Sequence, residues 1–241
     1  MFSWLANRDD TVYGWARSKE AHLLGHSLHV EMAKRTLENT LIKAHQIPVV
    51  REGITLLQSQ LPDTLKYHSF PHTEDVLTEA LRLALCDELS DRDCHLLAIA
   101  AVMHDTGFIK QAQHNEPIGA ANAREAMTRH GGYSEAEIAL VEQMIQDTAL
   151  VVRDGKLRQV PNTELSKYLL DADLGNFGRD DFFEKSMLQF RESSMDWDDF
   201  QLRTLELLES HTWHTAAAQQ LWQVQKEENL RELRRRMDAE S

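Results

Sequence analysis

Leu96-Leu97-Ala98-Ile99-Ala100-Ala101-Val102-Met103 is apolar on every side of a helical wheel, and His104-Asp105 follows it without a break. A helix with no polar face is buried all round, so this one is expected at the centre of the molecule. Asp91 or Asp93 can cap its start, and Gly107 suits its end. Upstream, Asp75 to Leu85 is helix-forming throughout, and Pro71, tolerated only in a first turn, sets that helix's start near 70–71. Residues 19–45 are amphipathic with helical spacing, and a second such stretch over 52–60 ends before Pro62. Downstream, Pro117 opens a helix that Gly131-Gly132 close, and Ser134 with Glu137 forms a capping box for 135–148. Helices resume at 163–172, 180–192, 197–210 and 213–237. Only 150–160 reads differently, as a small hairpin or a tight turn around Asp154-Gly155.

Composition agrees with an all-α chain. Among 241 residues there are 10 Gly and 5 Pro, fewer than a many-stranded fold spends on turns. The 42% hydrophobic and 27% charged fractions are those of a globular protein, which excludes whole-chain disorder. With no repeat or low-complexity linker, residues 1–241 are expected to form a single-domain helical bundle. A net charge of −13 disfavours a nucleic-acid polymer or an anionic membrane as partner. A small anion could bind only where a metal or buried basic groups offset that field. Cys86 and Cys94 are too few for a disulfide framework, and no secretory signal or long apolar span is visible, so the chain is expected to be cytoplasmic.

The His104-Asp105 dipeptide alone is what chance supplies. Its place at the end of an apolar helix is the informative feature, because an unpartnered ionisable pair inside a protein costs several kcal/mol. Metal coordination by imidazole nitrogen and carboxylate oxygen is one solution. Further ligands would come from Tyr67-His68-Ser69-Phe70-Pro71-His72 upstream and Asp171-Ala172-Asp173-Leu174 downstream.

The order His72, His104-Asp105, Asp173 resembles the HD superfamily of metal-dependent phosphohydrolases over roughly residues 60–180. Tyr67-His68, His72 and Asp75-Val76 look like a stretch of class I cyclic-nucleotide phosphodiesterases, with Ser69 in place of Asn. Asp171-Ala172-Asp173-Leu174 is similar to a stretch of many small bacterial HD proteins. The resemblance implies that His72, His104, Asp105 and Asp173 bind a divalent ion (Mn, Fe, Co, Zn, Ni or Mg), with a second ion open. Asp171 would support that centre, or be the ligand in place of Asp173. His68 would be a general acid, and Asp105 would orient water or bridge ions. Glu116 resembles a supporting acid, and Lys110, His114, Arg124 and His130 are candidate substrate contacts. The implied activity is hydrolysis of a phosphomonoester or phosphodiester in a small, nucleotide-like molecule.

Departures narrow this. Alarmone hydrolases and deoxynucleotide monophosphatases of the family place acids soon after His-Asp, whereas here Thr106-Gly107-Phe108-Ile109 follow. Di-iron oxygenases on the same scaffold, an alternative reading, add two histidines before the last Asp. This chain offers His114 and His130 there, with Gln146-Asp147-Thr148 where the second is expected. A non-catalytic helical sensor is the other alternative. His22, His26 and His29 share a helix face without an evident third ligand, and the tryptophans Trp4, Trp15, Trp197, Trp213 and Trp222 read as packing residues.

Overall fold

The computed structural model describes residues 35–240. Residues 43–241 cluster as one compact unit; of the separate cluster formed by residues 1–42, only 35–42 fall within the described part. The expected helix at 19–34, the histidines at 22, 26 and 29, and Trp4 and Trp15 lie outside the described residues. Helix α1 covers 35–46. It is followed by α2 (Pro48–Gln60), α3 (Phe70–Cys86), α4 (Asp91–Met103), a 3-10 helix (His104–Ile109), α5 (Glu116–His130) and α6 (Glu135–Asp147). A hairpin of β1 (Val151–Arg153) and β2 (Lys156–Arg158) leads to α7 (Ser166–Asp173), a 3-10 turn (Gly175–Gly178), α8 (Phe182–Glu192), α9 (Trp197–Ser210) and α10 (Ala216–Glu240). The fold is all-α. Among the described residues no helix is long and apolar enough to cross a membrane.

Helix α4 is the axis of the bundle, as its composition requires. Every residue from Leu96 to Met103 is buried, and α2, α3, α5, α6 and α7 all pack on it. Each fully buried Leu, Ile or Met contributes roughly 1.5–3 kcal/mol. Its cap is neither Asp91 nor Asp93 but Ser90, whose hydroxyl accepts from the Asp93 amide at 3.1 Å. Both aspartates sit in the first turn, where their charge complements the helix dipole.

The end of α4 departs from the sequence expectation. Gly107 does not terminate a regular helix; the chain tightens at His104 into the 3-10 helix, and Gly107 lies inside it. A Cβ on Gly107 would stand 1.9 Å from the Asn115 carbonyl oxygen, so the glycine is there to let the following loop close over the turn. Gly119 does the same from the other side, letting α5 approach the His104 carbonyl, which a Cβ would meet at 2.7 Å.

Other local signals are realised directly. Gly131 and Gly132, at φ 71° and 81°, end α5, and the Ser134–Glu137 capping box opens α6. The hairpin forms around Asp154-Gly155, both in the left-handed region at φ 52° and 74°, which suits a two-residue turn.

Two polar groups, one partly and one fully buried, tie the C-terminal part of the chain to this core. Arg179 pairs with both Asp75 oxygens on α3, at 2.9 and 2.5 Å. Asp171 on α7 is fully buried and accepts from the backbone amides of His214 and Thr215 and from the Thr215 hydroxyl. Thr215 in turn accepts from the Ala218 amide, closing the first turn of α10. Asp171→Ala would leave three donors unpartnered, and we expect it to lower unfolding stability by about 2–4 kcal/mol in urea titrations.

Candidate metal centre

Three helical segments deliver polar side chains to one buried point. His72 lies in the first turn of α3, His104-Asp105 at the switch from α4 to the 3-10 helix, and Asp173 at the last residue of α7. One ligand atom from each of His72, His104 and Asp173 lies within 4.8 Å of the other two. His72 Nε2 is 3.2 Å from an Asp173 oxygen, and His104 Nε2 is 3.6 Å from the same atom. Asp105 completes the ring, 3.2 Å from His104 Nε2 and 3.6 Å from His72 Nε2. Ligands about 2.1 Å from a common ion stand roughly 3.0–3.4 Å from each other; two of these spacings fall in that range and two, at 3.6 Å, are slightly wider.

The donor set fits a divalent cation on a second ground. His72 Nε2, His104 Nε2 and Asp105 Oδ2 are buried and have no hydrogen-bond partner. Such groups normally find one, since leaving each unpaired costs about 1–3 kcal/mol. The other ring nitrogen of His104 is spoken for: Nδ1 donates to the Ala101 carbonyl at 2.7 Å, which leaves the Nε2 lone pair turned to the site. On Asp173, Oδ2 accepts from Gln159 Nε2 at 2.7 Å and Oδ1 faces the histidines. The cluster could therefore hold a metal ion.

Electrostatics describe the same group without a cation. Burial opposes a charge on His104, but Asp105 and then Asp173 outweigh it and raise its pKa well above the ordinary value. Burial likewise opposes ionisation of Asp173 and Asp105, and the facing histidines overcome it, holding both carboxylates below their usual range.

The centre lies at the base of a cleft of about 690 Å³, a volume suited to a small ligand. His68 borders this cleft outside the ligand ring, stacked on Phe108 with ring centroids 4.3 Å apart. Its Nδ1 is 2.7 Å from Glu192 at the end of α8, and the same carboxylate accepts the amides of Tyr67 and His68. Burial disfavours the charged ring, yet the Glu192 bond and the charge of Asp105 raise the His68 pKa.

Compared with models of known families, with curated proteins and with solved structures, the chain matches none. The site is read from its own geometry.

The remaining candidates separate cleanly. Glu116, at the first residue of α5, and His114, held at φ 54° in the preceding loop, both border the cleft. Lys110, Arg124 and His130 do not. Lys110 is exposed beyond the 3-10 helix, Arg124 is committed to Glu142 and Glu135, and His130 is held by Glu52 at 2.8 Å. The substrate contacts expected of these three are not found at the cleft: Arg124 and His130 are spent on carboxylates, and Lys110 is not among the lining residues. Asp171 is not a support of Asp173 but the anchor of α10.

Residues missed in the sequence are Gln159 and Glu192, and Tyr67 stood there only as part of the Tyr67-His68 stretch, without a role of its own. Tyr67 is buried, with its ring against His72 at 4.5 Å, and burial followed by the nearby Asp173 raises its phenol pKa. Gln159 carried no signal, being one glutamine after a short strand.

Added Mn²⁺ or Zn²⁺ should raise the melting temperature of metal-stripped protein, by mass action on the folded state. Because the raised His104 pKa means a proton must leave as the ion enters, affinity should fall from pH 8 to pH 6, with calorimetric proton release. Gln159→Leu should weaken metal binding by roughly 10- to 100-fold while leaving the fold intact.

Proposed function

We propose that the chain is a metal-dependent phosphohydrolase of the HD type, acting on a phosphomonoester or phosphodiester of a small, nucleotide-like molecule. The observation that carries this reading is the pairing, in one cleft, of the His72–His104–Asp105–Asp173 ring with a second, separately oriented histidine. A bound divalent cation supplies Lewis acidity, polarising a phosphoryl oxygen and making water at the site more acidic. The chain's own residues account for the rest. Asp105 and Asp173 bring negative charge that holds the cation, and Gln159 fixes the orientation of Asp173.

His68 is the proton donor for the leaving oxygen. Its Nδ1 is fixed by Glu192, so Nε2 is the nitrogen available to substrate, and the raised pKa favours the protonated, donating form of the ring. Apolar and aromatic side chains along the cleft (Phe108, Phe177, Phe200, Leu207) provide faces for a planar ring. That surface supports a nucleotide-like ligand over bare phosphate as substrate.

The experiment is a turnover screen of nitrophenyl phosphomonoesters and diesters and of nucleotides, with Mn²⁺, Fe²⁺, Co²⁺, Ni²⁺, Zn²⁺ and Mg²⁺. Activity should depend on added metal and vanish in His104→Ala; hydrolysis that survives this substitution overturns the reading. His68→Asn should lower kcat by about 10²–10⁴-fold with metal content unchanged. In the wild type, activity should fall as pH rises through the elevated His68 pKa and the donor loses its proton. Glu192→Gln removes the raising partner, so that fall should move to lower pH.

A further inference from the structure

A second, smaller cavity of about 50 Å³ adjoins the cleft, sharing Gln159, Leu174 and Leu207 with it. Its polar lining comes from Arg158, Gln159, Ser210, His211, Thr212 and His214. No carboxylate is among its lining residues, although the chain as a whole carries a net charge of −13. Three of these residues hold a buried polar atom without a hydrogen-bond partner: Arg158 Nε, Gln159 Oε1 and His211 Nδ1. Gln159 and His211 are themselves more than nine-tenths buried, at 5% and 8% exposure. Among the described residues Arg158 has no ion-pair partner, whereas Arg92, Arg124, Arg129, Arg179 and Arg234 each have one.

The unpaired atoms have a definite character. Arg158 Nε–H can only donate and Gln159 Oε1 can only accept. Burial, with Lys226 nearby, keeps His211 neutral, so its ring adds one donor and one acceptor. A cation with one further donor, opposed by the Gln159 oxygen and the accepting nitrogen of His211, complements an oxyanion that retains at least one hydroxyl. The volume admits roughly three to four water-sized atoms, about what a tetrahedral oxyanion needs.

We propose that this side cavity binds a phosphate-class oxyanion, held by the Arg158 guanidinium and His211, with its protonated oxygen donating to Gln159 Oε1. The same Gln159 amide donates through Nε2 to Asp173 and to the Thr148 carbonyl, so one side chain touches both the side cavity and the metal-ligand ring. The anion is either free phosphate or a phosphoryl group on a larger molecule reaching in from the cleft. The inference needs no metal and stands apart from the hydrolase reading.

The test uses the full chain stripped of metal with EDTA, where hydrolysis plays no part. Titration calorimetry with inorganic phosphate should show one site, weakened about tenfold or more in Arg158→Met and partly kept in Arg158→Lys. Arg158 is half-exposed on a short strand, so a matching melting temperature of each variant verifies its fold. ADP binding more tightly than phosphate, with the same Arg158 dependence, identifies a phosphoryl group on a larger body. Phosphate binding as tightly as ADP identifies the free ion. Absence of binding at millimolar phosphate, or equal affinity in wild type and Arg158→Met, overturns the proposal.

Discussion

Two imidazoles held 3.2–3.6 Å from two carboxylates at the base of a cleft form the constraint around which this bundle is organised. Four ionisable groups lose the solvation of water when buried, at several kcal/mol per ion, and only mutual attraction or a shared cation offsets the loss. Apolar residues of similar volume would serve stability as well or better, so this arrangement of polar groups stands here at a cost to the fold. Every neighbouring element bears on it. The apolar bulk of α4 delivers His104 to the centre, Pro71 starts α3 so that His72 falls in its first turn, and α7 stops at Asp173.

At His104 the chain passes from α-helix to 3-10 helix, and the adjacent His104 and Asp105 side chains reach the same point with polar atoms 3.2 Å apart. The turn is kept tight by close approach on both flanks, through Gly107 against Asn115 and Gly119 against the His104 carbonyl. The Thr106 hydroxyl adds a bond to the Met103 carbonyl, and Asn122 reaches over from α5 to Thr106.

How much of this was legible follows from range. Signals that act within four residues were readable: the Ser134–Glu137 box, the glycines at 131 and 132, the Asp154-Gly155 turn and the all-apolar run of α4. The convergence of His72, His104 and Asp173 was legible through their order along the chain, which resembles that of the HD superfamily. Partners brought from afar were not. Glu192 stands 124 residues from His68 and Gln159 14 from Asp173, and nothing in their local sequence marks them. Arg124 and His130 looked available in one dimension because the acids that claim them, Glu142 and Glu52, lie on other helices. Asp171 shows the limit most sharply, since a two-residue motif cannot say which of its carboxylates faces which way.

The divided roles of Asp171 and Asp173 carry a mechanical consequence. Two residues along a helix are separated by about 200°, so α7 presents one carboxylate to the ligand ring and the other to the start of α10. The 25-residue terminal helix is thereby fastened to the far side of the same short rod that carries a ligand. The start of α10 and the cluster of His72, His104 and Asp173 are thus tied to carboxylates only two residues apart on one eight-residue helix.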